Sequence, residues 1–190
     1  MNTGKIEILT VTMFTKVPHI EQGTYDDNTK QSQTLAMLCE QSPPEPWTNV
    51  CTDGSSTNAI QDSWAGIVIY FPIGSTEAAS TVTRRHHSNY KADSETLMMV
   101  IYLSVDSQQN SIMTVFLTDA LSVLQTLTNN KLARIAKALQ LLLSNNCRVA
   151  LQWIPTQCRV PGNEQADTLA KQGAHTEQPG ANVSFQERSV

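Results

Sequence analysis

The sequence predicts an α/β domain in which a mixed sheet is flanked by helices. Three observations carry that prediction. Between Asn49 and Thr83, three short β-prone stretches follow one another through turn-rich links. From Lys91 onward, helical stretches alternate with buried strands. A meander followed by helical crossovers places antiparallel and parallel pairs in one sheet. The 190 residues, 40% hydrophobic and 16% charged, fit one sizeable core and exclude disordered and collagen-like classes.

Taken in order, the β-prone stretches are Asn49–Thr52, Ser63–Phe71 and Thr76–Thr83. They are separated by the turn formers Gly54-Ser55-Ser56-Thr57-Asn58 and Pro72-Ile73-Gly74-Ser75. The period then lengthens to that of a helix over Lys91–Val105, with Ser88 or Asn89 able to cap it and Leu97, Val100, Ile101 and Ser104 on one face. Ser111–Thr118 is predicted as a buried strand, Ala120–Leu127 as a short helix and Lys131–Leu143 as a longer one rich in Leu and Ala. Cys147–Ile154 is again a strand, and Gly162–Gln172 a last helix opened by Pro161-Gly162-Asn163. The predicted order is βββαβααβα.

The ends differ from this body. Residues 18–34 are rich in Gln, Thr, Asp and Asn, and Pro43, Pro44 and Pro46 form a stiff linker. Residues 1–46 are therefore expected to be a poorly structured extension, 47–174 the domain, and 175–190 a flexible tail. Net charge is −4, from 13 basic and 17 acidic residues, which alone disfavours a nucleic-acid partner. The body, however, holds nine of each and is neutral, so the acidic excess lies in the flanks. The four cysteines, at 39, 51, 147 and 158, form no C-x-x-C pair and point to a reducing compartment. The Ile6–Phe14 run lacks a cleavage site, and no apolar stretch nears the roughly 20 residues that cross a bilayer. The expected location is intracellular, nucleus or cytoplasm, without secretion or a membrane partner.

The chemistry lies in where the acids fall. Asp53 ends the first predicted strand, Asp119 ends the fourth, and Asp167 lies more than a turn into the last helix. Each alone could be a cap or turn residue. If the first and fourth strands are neighbours, about 4.8 Å apart, Asp53 and Asp119 stand side by side. Two such carboxylates either share a proton or hold a divalent cation, and an oxygen-only donor set favours Mg²⁺ or Mn²⁺.

Thr52-Asp53-Gly54-Ser55, Asn89-Tyr90-Lys91-Ala92-Asp93, Leu117-Thr118-Asp119-Ala120, and Trp153-Ile154-Pro155 followed by Gly162–Lys171 together resemble type 1 ribonuclease H. Those of retrotransposon polyproteins without long terminal repeats are the most similar. The resemblance implies a ribonuclease H-like five-stranded mixed sheet of order 3-2-1-4-5. It also implies a monomeric endonuclease that cuts the RNA strand of RNA–DNA hybrids with two Mg²⁺ ions, Mn²⁺ being able to substitute, and no small-molecule cofactor. The family's four acids fall on Asp53, Asp93, Asp119 and Asp167, as both catalytic and metal-ligating residues. Ser55, Asn58 and Asn89 fall at substrate contacts.

Two departures bear on activity. The second acid is normally Glu, and here the position counted from Asn89 is Asp93, with Glu95 the other candidate. At about 100° per residue, Leu97, Val100 and Ser104 lie within roughly 40° of Asp93, whereas Glu95 is turned roughly 160° away, so the role is assigned to Asp93. Gln157 stands where the family carries a His that handles protons or product release, and Gln does not titrate near neutrality. A weakened enzyme is therefore expected, and a catalytically degenerate hybrid- or duplex-binding module is the alternative. The link Thr128-Asn129-Asn130 leaves no room for the basic insertion with which some members grip a hybrid.

Overall fold

The structure is a computed structural model that describes residues 11–17, 26–42, 46–57, 62–72, 74–85, 88–106, 113–145 and 147–174. In chain order the elements are β1 (Val11–Phe14), α1 (Asp27–Gln41), β2 (Thr48–Thr57), β3 (Asp62–Tyr70), β4 (Thr76–Arg85) and α2 (Asn89–Asp106). They continue with β5 (Met113–Thr118), α3 (Leu121–Thr128), α4 (Ala133–Ser144), β6 (Arg148–Trp153) and α5 (Pro161–Ala174). The body has the expected α/β architecture, a mixed sheet with flanking helices.

The strands form one sheet of order β1-β6-β5-β2-β3-β4. β2, β3 and β4 are antiparallel neighbours, while β5 runs parallel to both β2 and β6. The five body strands thus keep the order 3-2-1-4-5, but the described residues form six strands rather than five. The sixth is β1, parallel to β6 from Val11↔Val149 to Phe14↔Gln152. Four residues are too few to show an alternating pattern, yet they pair the backbone groups that β6 would otherwise present at an open edge.

A second correction concerns β2. It continues to Thr57 through the Gly and Ser residues read as a turn, because Asp53–Thr57 pair antiparallel with Asp62–Gly66. Asp53 is therefore not a strand terminus. It is the first residue beyond the parallel β2–β5 pairing, which ends at Thr52↔Thr118.

The described part of the extension, 11–17 and 26–42, is more ordered than its composition indicates. Asp26 caps α1, its Oδ1 accepting from the backbone N–H groups of Asn28 and Thr29 at 3.0 Å each. Those bonds satisfy two of the free donors at the helix start. Thr34, Met37 and Leu38, at the i, i+3, i+4 spacing of one face, are buried, and Met37 and Leu38 join the main core. Three inward positions within a polar stretch leave little periodicity to read.

α2 opens as expected: the Ser88 carbonyl accepts from Lys91 and Ala92 at 2.9 Å each. Its buried stripe of Ala92, Thr96, Leu97, Val100 and Ile101 faces the sheet. The α3–α4 link turns on Asn130, at φ 57. Asn130 N–H donates to the Leu127 carbonyl and Lys131 N–H to that of Thr126, a Schellman closure that needs a left-handed residue and accepts Asn there. Among the described residues no helix is long and apolar enough to cross a membrane.

Side chains alternate faces along a strand, so Gly54 and Gly66 point to opposite sides of the sheet. A Cβ on Gly54 would lie 2.6 Å from the Asp93 backbone N and 2.7 Å from the Ala92 carbonyl carbon, which puts the start of α2 directly on β2. A Cβ on Gly66 would fall inside the Ala166 carbonyl, which puts α5 directly on β3 on the other face. Gly66→Ala is expected to cost about 1–3 kcal/mol, because α5 must lift off the sheet. Urea unfolding measures this, and an unchanged midpoint would show that α5 is not seated there.

Candidate active site

Four elements bring the predicted acids to one end of the sheet. Asp53 and Asp119 each follow the last paired residue of adjacent parallel strands, Thr52 and Thr118. The Asp119 backbone is held firmly. Its carbonyl accepts from Trp153 Nε1 at 3.2 Å and from Leu121 N–H at 2.9 Å. The Thr118 hydroxyl accepts from Ala120 N–H at 3.2 Å. Asp53 pairs across the hairpin with Gly66, beneath Ala166, so the next residue of α5, Asp167, meets it and shares a hydrogen bond with its carboxyl. Asp93 arrives from the opposite face, its Oδ1 accepting from Gly54 N–H at 3.1 Å.

The electrostatics follow from this crowding. Burial first, and then the neighbouring carboxylates of Asp119, Asp93 and Asp167, push Asp53 up to about 8 from the ordinary 3.8. Burial and Asp119 push Asp93 up to about 7, against the opposing pull of the Gly54 N–H. Asp119 is raised mainly by burial, with its own backbone hydrogen bond working the other way. Lys171, one turn beyond Asp167, donates to its Oδ2 at 2.6 Å, and the bond raises the lysine. Reasoning from sequence passed over this lysine, although its i, i+4 spacing from Asp167 was visible.

Glu95 lies elsewhere. Its Oε1 is 3.7 Å from Arg134 Nη1, across the α2–α4 contact. Ser55 is half-buried on β2 and alternates onto the same face as Asp53. Asn89 is exposed at the first position of α2. Asn58 lies outside the described residues. Gln157 is exposed in the link between β6 and α5 with a left-handed backbone, φ 57.

By donor type and charge the cluster fits a hard divalent cation. The four carboxylates gather at one end of the sheet, and the raised acids among them, Asp53, Asp93 and Asp119, signal negative charge lacking a counter-ion. Among the described residues, no three acids stand close enough together to enclose an ion as they are placed.

A family model described as RNase H matches residues 45–175. Among solved structures, RNase H1 from the halophilic archaeon Halobacterium salinarum NRC-1 is similar at 19% identity and TM-score 0.54, over 67% of this chain and 96% of that one. LC11-RNase H1, isolated from compost by a metagenomic approach, is similar at 17% identity and TM-score 0.53, over 67% and 94%. The same LC11 protein solved in complex with an RNA/DNA hybrid matches at 13% identity and TM-score 0.51, over 66% and 97%. No curated protein matches in sequence.

Asp53 and Asp93 hold protons in the folded chain that unfolded carboxylates release near 3.8. The folded state therefore binds more protons between about pH 4 and about pH 8, and stability drawn from these groups falls as pH rises through that window. In chelator, Asp53→Asn is expected to gain thermal stability relative to the parent as pH climbs from 4 to 8, and Mg²⁺ should narrow the gap. A gap that stays constant with pH would contradict the assignment.

Proposed function

The chain belongs to the RNase H family, and from that premise we propose that it is an endonuclease cutting the RNA strand of RNA–DNA hybrids with divalent cations held by Asp53, Asp93, Asp119 and Asp167. The observation that carries the reading is that β2, α2, the end of β5 and α5 bring these four acids to the same end of the sheet, where Asp53 is raised to about 8. The chemistry that bound Mg²⁺ or Mn²⁺ supplies to such a set is activation of water and charge stabilisation at the scissile phosphate. The products are a 5′-phosphate and a 3′-hydroxyl.

The chain's own residues prepare that chemistry. Trp153 fixes the Asp119 backbone, and Gly54 fixes the carboxyl of Asp93. Lys171 holds the outermost acid, Asp167, against the like charge of Asp53. Ser55, Asn58 and the amide of Asn89 are the proposed contacts to the hybrid, whose RNA strand is told from DNA by its 2′-hydroxyls. Support for a hybrid substrate comes from the LC11-RNase H1 structure with an RNA/DNA hybrid. The catalytic domain spans 47–174, and its motif words support an origin in a retrotransposon polyprotein without long terminal repeats.

The degenerate binding module remains the second reading, favoured by the separation of the acids and by Gln157. Hybrid cleavage in Mg²⁺ and in Mn²⁺ separates the two. Asp119→Asn is expected to lower the rate about 100-fold or more, the scale of a misplaced catalytic group. Asp93→Glu, with the family's longer side chain, is expected to raise it. Equal residual signal from the parent and Asp119→Asn would leave only the binding reading.

A further inference from the structure

The link from β6 to α5 runs from Ile154 to Val160 and contains two non-glycine residues in the left-handed region, Gln157 at φ 57 and Arg159 at φ 53. Between them Cys158 is buried, with 1% of its surface exposed. Side chains rarely adopt such backbones unless surrounding contacts hold them there. Here two of the holding contacts come from α1. Gln31 Nε2 donates to the Arg159 carbonyl at 2.7 Å, and Arg159 Nη1 donates to Asn28 Oδ1 at 3.3 Å. Asn28 and Gln31 are three residues apart, hence neighbours on one face of α1. Gln31, Thr34 and Leu38 continue that face into the buried side of the helix.

Both ends of this link are tied to acids. Immediately before it, Trp153 bonds the Asp119 carbonyl, and Ile154 N–H donates to the Thr118 carbonyl at 3.0 Å. At its far end the Val160 carbonyl accepts from Asn163 and Glu164, the first bonds of the helix that bears Asp167. The shape of the link therefore sets where α5 starts relative to the end of β5. We infer that α1 is a positioning element for the site, with Asn28 and Gln31 as the positioning residues that hold the link and thereby register Asp167 against Asp53 and Asp119. The family match begins at residue 45, so this support lies wholly outside it.

The kinetic arm of the test rests on the proposed hybrid cleavage, and the exchange arm does not. In the full chain, Gln31→Glu keeps the shape but removes the donor, Asn28→Ala removes the acceptor, and Asn28→Asp keeps it. Gln31→Glu and Asn28→Ala are expected to speed hydrogen exchange of the amides from Cys158 to Asp167 and to lower kcat about tenfold with KM nearly unchanged. Asn28→Asp should match the parent in both. A purely structural helix would lower Tm and leave kcat of the folded fraction and the exchange of this segment as they were, which overturns the inference. So does an Asn28→Asp variant as impaired as Asn28→Ala. If the parent cleaves no hybrid, the function reading fails by itself, and exchange across Cys158–Asp167 still decides this one.

Discussion

Three of the four acids in the site, Asp53, Asp93 and Asp167, take their places from two contacts in which helix backbone rests directly on strand backbone. At Gly54 the start of α2 presses on one face of the sheet, and at Gly66 α5 presses on the other. Asp53 is bonded along the chain to the first glycine and paired across the hairpin with the second. Both helices are thereby brought to the same residue. The contact at Gly54 also bears on the shorter acid at position 93. Asp lacks one methylene of Glu, but a helix lying in backbone contact with β2 lets the Asp93 carboxyl reach the Gly54 N–H.

The charges in the site are graded from inside to outside. Lys171 pairs with Asp167, and both partners are partly exposed, 63% and 32% by side chain. A pair so open to solvent adds little to stability. Its consequence is local: among the described residues, Asp167 has a counter-ion while Asp53 and Asp93 do not. The unrelieved repulsion is therefore concentrated where the two strand ends meet α2. Outside the cluster the balance reverses. With the four acids set aside, the body carries nine basic residues against five acids, a surface suited to a polyanion despite the chain's net charge of −4.

Much of this was readable before any coordinates, and the exceptions have physical causes. The helical period separated Asp93 from Glu95 because a two-residue step turns a side chain to the far side of a helix, and Arg134 now receives Glu95 there. The body strands were readable from apolar runs and punctuating turns. The extension of β2 was not, since Gly54, Ser55, Ser56 and Thr57 have turn propensity and are held extended only by pairing with β3. β1 is too short to show a pattern. α1 hides three buried positions among polar ones, and its grip on Arg159 joins residues 128 positions apart through polar groups that leave no periodic trace.

β1 and α1 both act on the same strand. β1 ends its pairing with β6 at Gln152, one residue before Trp153, whose indole bonds the Asp119 carbonyl. α1 meets the chain again a few residues later, at Arg159. The extension thus borders β6 along its open edge and braces the link that leaves its C-terminal end. Covering an edge protects against unwanted pairing, but that need exists equally at β4, beyond whose outer edge no strand lies among the described residues. The two edge strands lead into different kinds of chain. After β4 the backbone goes on to α2, which is already fixed by its seat on Gly54. After β6 it enters a link with two left-handed side-chain-bearing residues, and that link decides where α5 begins. Support is placed at the edge where the backbone has least reason to hold its shape unaided and where its shape matters to the acids.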